Sequence, residues 1–225
     1  MKNLKTVELY LVIDREICDS LNFSVVEVAK EAVDAGVDLI QYRDKVSSIE
    51  EYEQKAKEVF EVCKKGGVPF LVNDFVEVAK NINADGIHVG QSDKTPDEIR
   101  KYIKNPDFII GYSTHNFEEI KKALEYNVSY FNIGPIFHTQ TKKHLTEFIG
   151  TEFISQVRKK YPDKIFTTMG GINKSNIYDV IFAGADRSAV VTAIINNKNS
   201  ITNNVNDLKN IIKKAKEERN LWVKF

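Results

Sequence analysis

Short apolar runs alternate with longer helical segments along almost the whole chain, and this rhythm limits the fold more than any other feature. The runs are rich in Val, Ile, Phe and Tyr, and the segments between them carry apolar residues at helical spacing. These two patterns predict buried strands and amphipathic helices in turn. The predicted strands cover residues 9–14, 39–44, 69–74, 86–90, 108–113, 130–136, 165–169 and 188–193. The predicted helices cover residues 24–35, 49–65, 96–103, 117–126, 152–160, 175–183 and 205–218.

Eight βα units with short returns predict an α/β fold, a closed (β/α)8 TIM barrel. An open doubly wound sheet would carry a glycine-rich dinucleotide turn after its first strand, whereas residues 13–16 here read Ile-Asp-Arg-Glu. A chain of 225 residues with 42% hydrophobic side chains fits one such domain. We therefore expect a single barrel over residues 1–225, with a lead-in through residue 8, an active-site loop at 139–150 after the sixth strand and a C-terminal helix at 204–220.

The charge balance and the cysteine content narrow the partners and the compartment. The 32 basic and 32 acidic residues cancel, which argues against nucleic acid or an anionic membrane as a partner. Cys18 and Cys63 are isolated and lack metal-ligand spacing, a pattern that favours a reducing compartment. The N-terminus lacks the apolar stretch of a signal peptide, and no segment approaches the length of a membrane span. These features predict a cytoplasmic protein that acts on small molecules.

Two cations end the second predicted strand, and in a barrel of this kind the active site lies at the carboxyl ends of the strands. Gln41, Arg43 and Lys45 fall on one face because side chains alternate along a strand. Crowding two cations there is costly without a counter-charge, and a bound polyphosphate would supply it. The alternative is that the cations pair with Asp14 or Asp44 at the rim.

Two aspartates close the third and fourth predicted strands at the same rim. Asp74 follows Asn73, and Asp93 ends the segment 86–93. Two neighbouring carboxylates suit Mg²⁺, which usually takes one or two of them and fills its remaining positions with water and substrate phosphate. The alternative is helix capping, because each aspartate precedes a helical segment and aspartate is a favoured N-cap.

Hydroxyls and an imidazole follow the fifth and sixth predicted strands. Ser113 and His115 suit a phosphate or a ring amine, while Asn116 has the position of an ordinary N-cap. The sixth strand leads into a long connection at 138–150, of the length that is often functional. Its residues 139–142 would offer hydroxyl donors and a movable cation to an anionic substrate, and solvation of an exposed loop is the alternative.

Glycines after the seventh predicted strand mark a second place for an anion. Gly170 and Gly171 follow that strand, and the eighth contains Val191 and Thr192. Phosphate sites recur after strands seven and eight of this fold, where glycine lets backbone N–H groups approach the oxygens. Two separate anion sites beside a carboxylate pair predict two phosphorylated substrates and a metal.

Taken together, these segments resemble the thiamine phosphate synthase family, with a match that runs from Leu9 to Ile194. The segments that carry it are 10–14, 41–45, 73–74, 84–93, 113–116, 134–137, 139–142, 170–172 and 184–186. The resemblance implies a transferase of thiamine biosynthesis that joins 4-amino-2-methyl-5-hydroxymethylpyrimidine diphosphate to a thiazole phosphate. In that dissociative displacement the pyrimidine methylene leaves pyrophosphate and the thiazole nitrogen captures the cation, with Mg²⁺ as cofactor.

The resemblance also implies a role for each matching rim residue. The aminopyrimidine diphosphate would be held by Gln41, Arg43, Lys45, Asn73, Ser113 and Lys142. Mg²⁺ would bind Asp74 and Asp93, and the thiazole phosphate would contact Thr139, Gln140, Thr141, Gly171, Val191 and Thr192. The new bond requires no strong base, so catalysis is electrostatic. The catalytic residues would be Arg43, Lys45, Ser113 and Lys142.

Some positions depart from the family pattern, and two other functions stay open. Phe75 stands where arginine is usual, His138 where proline is common and Arg187 where glycine is usual.

A thiazole tautomerase on the same barrel would use His115 for proton transfer, although that branch typically lacks the carboxylate pair and the lysine at the position of Lys45. A non-catalytic sensor of phosphorylated ligands would keep the fold and the anion sites without turnover.

Overall fold

The computed structural model describes residues 4–139, 148–197 and 200–222, and within them eight parallel strands close into a barrel. The strands are β1 (Leu9–Asp14), β2 (Leu39–Arg43), β3 (Phe70–Asn73), β4 (Gly86–Val89), β5 (Ile109–Thr114), β6 (Tyr130–Ile133), β7 (Phe166–Met169) and β8 (Arg187–Val190). Each strand pairs with its successor, and β8 returns to β1 with Tyr10 opposite Ala189. The predicted (β/α)8 architecture is confirmed.

Helices alternate with the strands and pack their apolar faces against the barrel. They are α1 (Arg15–Ser20), α2 (Val25–Asp34), α3 (Ile49–Gly66), α4 (Val76–Asn81), α5 (Pro96–Tyr102), α6 (Phe117–Glu125), α7 (Gly150–Lys160), α8 (Ile177–Phe182) and α9 (Ile201–Trp222). A short 3-10 helix at Leu4–Thr6 precedes β1. Among the helices of the described ranges, none is both long and apolar enough to cross a bilayer.

The structure differs from the sequence prediction in short helices and in two strand ends. Helices α1 and α4 have six residues each and are too short to show a helical repeat. Strands β6 and β8 end at Ile133 and Val190, earlier than predicted. The apolar run continues past both strands because Ile136 and Ile194 are fully buried in the following turns. A buried turn and a buried strand have the same composition, so periodicity does not separate them.

Two apolar layers stabilise the barrel, as parallel strands covered on both faces require. The larger layer lies between the strands and the helices. The smaller layer is formed by Val7, Tyr10, Val12, Leu39, Leu71, Ile109, Tyr130 and Ala189. These strand residues alternate with those of the larger layer, so they point into the barrel. The inner layer lies directly beneath the polar groups of the rim.

Arg187 is the largest fully buried side chain, with 1% of its surface exposed at the start of β8. Its Nη2 donates to the carbonyl oxygen of Leu4 at 2.7 Å, and its guanidinium lies 5.6 Å from the ring centre of Tyr130. Burial lowers the pKa of Arg187 because the charged form is poorly solvated there. Arg187 thus attaches the 3-10 helix to the amino-terminal end of the barrel. This end lies opposite the rim, so the departure from the family pattern at Arg187 lies away from the pocket.

Candidate active site

A cavity of about 410 Å³ opens at the carboxyl ends of the strands. Its lining includes every described residue that the sequence singled out for binding or catalysis. These are Gln41, Arg43, Lys45, Asn73, Asp74, Asp93, Ser113, Thr139, Gly171, Val191 and Thr192. Gln140, Thr141 and Lys142 lie outside the described residues, so their predicted roles stay predictions. These distant positions meet at one mouth because the eight parallel strands all end on the same side of the barrel.

Arg43, the last residue of β2, and Lys45, two residues beyond it, have separate acidic partners. Arg43 Nη1 forms an ion pair with Asp14 Oδ2, and the Asp14 side chain is only 2% exposed. Lys45 Nζ pairs with Asp74 Oδ2 and is 42% exposed. Asp44 is not their partner, because its carboxylate accepts the Tyr42 hydroxyl at 2.9 Å. The rim pairing considered for Arg43 is therefore present, with Asp14, and both cations still face the cavity.

Asp74 and Asp93 lie side by side at the ends of β3 and β4. Burial, followed by the neighbouring charge of Asp74, raises the pKa of Asp93, because both effects disfavour a second carboxylate. The Gly90 N–H holds Asp93 Oδ2 at 2.7 Å. Asp74 has a backbone φ of 63°, a conformation uncommon for residues with a Cβ. A constrained pair of like charges at a cavity mouth is typical of a site that receives a cation.

Helix capping does not explain either aspartate. The N-cap of α4 is Phe75, without a side-chain hydrogen bond. The N-cap of α5 is Thr95, which forms a capping box with Glu98. The capping alternative is therefore wrong for Asp74 and for Asp93. Their donor chemistry fits a hard divalent cation, and the described residues contain no third clustered acidic, histidine or cysteine ligand, which leaves positions for water and phosphate oxygens.

A row of buried hydrogen bonds crosses the barrel beneath the cavity. Gln41 Nε2 donates to the Tyr10 hydroxyl, and the Tyr130 hydroxyl donates to Tyr10 at 3.2 Å. Tyr130 also lies 3.0 Å from His88 Nδ1, and His88 Nε2 lies 2.9 Å from Ser113 Oγ. No role was predicted from the sequence for His88, Tyr10 or Tyr130. Alternation places His88 on the inward face, but the contacts come from five strands and no local pattern shows them.

The wall formed after β7 and β8 is built mainly from backbone. Gly170 and Gly171 have φ values of 101° and 66°. A Cβ at Gly171 would lie 2.3 Å from the His138 carbonyl oxygen, so no other residue fits without moving the chain. Val191 and Thr192 continue this wall directly after β8. Such a backbone surface suits the oxygens of a phosphate.

The side-chain contacts of His115 and Phe75 bear on the roles of these two further positions. His115 Nδ1 lies 2.8 Å from Glu119 Oε2, and Asn116 caps α6 through the Glu119 N–H at 2.9 Å. His115 lines the cavity, but it lies beside α6 rather than beside the carboxylate pair. The Phe75 ring packs 5.0 Å from Tyr52 and 6.0 Å from Lys45 Nζ. Phe75 thus places an aromatic ring beside Lys45, where the arginine usual in the family would add a charge.

A family model and several relatives of similar sequence point to one family. Residues 9–194 match the family model described as thiamine monophosphate synthase. The thiamine-phosphate synthase of Shouchella clausii is 39% identical over 192 residues, which are 85% of this chain and 90% of that protein. Thiamine-phosphate synthase 1 of Streptococcus pneumoniae is 38% identical over 203 residues, which are 88% and 95% of the two chains. A thiamine phosphate pyrophosphorylase structure from Pyrococcus furiosus has a TM-score of 0.83 at 27% identity, covering 95% of this chain and 99% of its own.

Proposed function

Because the chain belongs to the thiamine monophosphate synthase family, we propose that its rim cavity joins an aminopyrimidine diphosphate to a thiazole phosphate and releases pyrophosphate. The protein is a transferase of thiamine biosynthesis, as the sequence resemblance predicted. The observation that carries the proposal is one cavity with cations and paired carboxylates on one side and a glycine turn on the other. Two phosphorylated substrates need two such sides.

The β2 to β5 side would hold the diphosphate and the pyrimidine ring. Arg43 and Lys45 each face the cavity and would share their charge between an aspartate and the diphosphate oxygens. Asn73 and Ser113 would add hydrogen bonds from β3 and β5. Gln41 sits at the foot of this side, where it would contact the ring. Lys142 is predicted to join the set from residues beyond those described.

A magnesium ion would fit between this side and the diphosphate. Asp74 and Asp93 would hold it, and the substrate oxygens and water would complete its coordination. When bound, Mg²⁺ supplies charge neutralisation to the departing pyrophosphate. Lys45, which pairs with Asp74, would hold the carboxylate oriented and meet the diphosphate itself.

The β6 to β8 side would hold the thiazole phosphate. Gly171, Val191 and Thr192 would present backbone groups to its oxygens. Thr139 would contribute a hydroxyl at the start of the long connection. Gln140 and Thr141 are predicted to extend this contact. The thiazole ring would then lie between the two anion sites, with its nitrogen toward the pyrimidine methylene.

The chemistry transfers no proton. The methylene C–O bond breaks with its electron pair on pyrophosphate, and the lone pair of the thiazole nitrogen forms the new C–N bond. The charge that grows on the leaving group would be stabilised by Arg43 and Lys45, with Lys142 as a further donor. The Ser113 oxygen would accept a hydrogen bond from the ring amine of the pyrimidine. His115 would take no part in the bond-forming step, because no base is needed.

The decisive assay supplies both substrates with Mg²⁺ and follows pyrophosphate release. We expect release only when both substrates are present, together with thiamine phosphate in equal amount. Binding of both ligands without release would overturn the synthase and leave a sensor. Isomerisation of a thiazole carboxylate phosphate without release would instead indicate a tautomerase.

We also propose that the protein works in the cytoplasm. The chain has only two cysteines, Cys18 and Cys63, and both are buried; so low a cysteine content is typical of proteins from a reducing compartment. Cell fractionation with an antibody against the chain would test this, and recovery with the membranes or outside the cell would contradict it.

A further inference from the structure

Three side chains that touch one another beneath the cavity connect two residues of its lining. Ser113 on β5 and Gln41 on β2 line the cavity. His88, Tyr130 and Tyr10 run between them with hydrogen-bond distances of 2.9, 3.0 and 3.2 Å from Ser113 to Tyr10. Gln41 Nε2 completes the row by donating to Tyr10.

The row is buried and tightly packed. Tyr10 and Tyr130 are 0% and 1% exposed, and His88 is 5% exposed. The rings of His88 and Tyr130 stack with centres 5.8 Å apart. Gly111 makes this contact possible, because a Cβ there would lie 2.3 Å from the Tyr130 hydroxyl and 2.5 Å from His88 Nδ1. Because Gly111 has no side chain, the Tyr130 hydroxyl and the His88 ring can occupy the space beside the middle of β5.

The hydrogen bond between the two tyrosines points to one tautomer of a neutral His88. A neutral imidazole has one N–H and one acceptor nitrogen. Since Tyr130 donates its only proton to Tyr10, its oxygen accepts from His88 Nδ1–H. His88 Nε2 is then an acceptor and receives the Ser113 hydroxyl proton.

We propose that Tyr130 is a positioning residue for this site: through His88 it sets the orientation of the Ser113 hydroxyl, and through Tyr10 it ties that hydroxyl to Gln41. The inference rests on the proposed function, since Gln41 and Ser113 are there assigned to the aminopyrimidine diphosphate. Tyr130 itself does not touch the substrate, and its effect reaches only the β2 to β5 side of the cavity.

Nitrogen chemical shifts of His88 test the row without any substrate. We expect the Nδ1–H tautomer to dominate in the wild-type protein. Tyr130→Phe removes the acceptor for that proton but keeps the ring, so the Nδ1–H preference should be lost. A wild-type tautomer mixture like that of an exposed histidine, or an Nε2–H form, would overturn the assignment.

Steady-state kinetics test the functional consequence. In Tyr130→Phe we expect kcat/KM for the aminopyrimidine diphosphate to fall by about tenfold, the worth of one buried hydrogen bond. The KM for the thiazole phosphate should stay within about twofold, because its contacts lie on the other side. Tyr178→Phe is the matched control, since that hydroxyl bonds Glu218 between α8 and α9. If Tyr130→Phe does not fold, Tyr10→Phe removes the next hydroxyl of the row and should give the same split.

The outcomes separate this inference from the proposed function. Wild-type kinetics in Tyr130→Phe, or equal losses for both substrates, would overturn the positioning role. A wild-type protein that releases no pyrophosphate would overturn the synthase proposal, and the His88 tautomer would still report on the row.

Discussion

The two sides of the cavity recognise phosphate by different means. On the β2 to β5 side, charged side chains converge, and Arg43 and Lys45 each have an aspartate partner. On the β6 to β8 side, Gly170 and Gly171 hold a left-handed backbone with almost no side chain. The first side suits a leaving group on which charge grows during reaction. The second suits a phosphate whose charge stays constant, so that binding and orientation suffice.

Removing a carboxylate from the charged side should have the largest effect. We expect Asp93→Ala to lower kcat by about a hundredfold at saturating substrates, because the site would lose half of its proposed metal ligands. Asp97→Ala is the matched control, since that aspartate is exposed on α5. Circular dichroism should show an unchanged fold. Wild-type turnover in Asp93→Ala would contradict the metal assignment.

Removing a cation from the same side should affect one substrate only. Arg43→Gln should reduce kcat/KM for the pyrimidine diphosphate by about thirtyfold, as expected for a lost charge-assisted contact. Because the change also leaves Asp14 buried without its cation, thermal stability should fall as well.

Asp14→Asn added to Arg43→Gln separates these two effects. The double variant should recover stability but not activity, and Arg15→Gln, which breaks an exposed ion pair with Asp19, should change neither. A raised KM for thiazole phosphate in Arg43→Gln would show that the two sides are not separate.

A backbone change on the other side should give the opposite substrate pattern. Gly171→Ala places a Cβ 2.3 Å from the His138 carbonyl oxygen, so the turn must move. We expect the KM for thiazole phosphate to rise by about tenfold and that for the pyrimidine diphosphate to stay unchanged. Gly67→Ala is the matched control, because Gly67 has φ of 71° and no atom within 4 Å of the added carbon. Equal effects in both variants would assign the loss to backbone strain alone.

The smallest expected effect is a gain in stability at the charged side. The pKa of Asp93 is raised by burial and by Asp74, so the ionised carboxylate destabilises the fold above that pKa. This penalty is present at neutral pH and disappears as the pH falls and Asp93 takes up a proton. Asp93→Asn without Mg²⁺ should therefore raise Tm by about 2 °C at neutral pH and by nothing in acid. A lower Tm at neutral pH would contradict the like-charge pair.

The sequence predicted the parts of this comparison that depend on residue type and alternation. The barrel follows from the repeated apolar runs, and Gln41, Arg43 and Lys45 share a face because β-strand side chains alternate. Gly170 and Gly171 predicted an anion site built from backbone N–H groups, but not the left-handed φ values of the turn. Asp74 was a possible cap because aspartate is a favoured N-cap, and the sequence does not show that Phe75 takes the N-cap position of α4 instead.

Contacts between distant strands were beyond the sequence. The pairing of Arg43 with Asp14 was one of two alternatives, and only the register of β1 with β2, which places these residues opposite each other, decides it. The contact of His88 with Tyr130 joins β4 to β6 across Gly111. The contact requires β4, β5 and β6 to be in register, and no local sequence pattern predicts the alignment of three separate strands.

The most direct test of two separate anion sites is a calorimetric titration of thiazole phosphate into protein saturated with pyrophosphate and Mg²⁺. The account predicts that thiazole phosphate binds with the same affinity as to the free protein, or more tightly, because each anion has its own side of the cavity. Loss of binding in proportion to the pyrophosphate present would mean that the two ligands compete for one site, and that result would contradict the account.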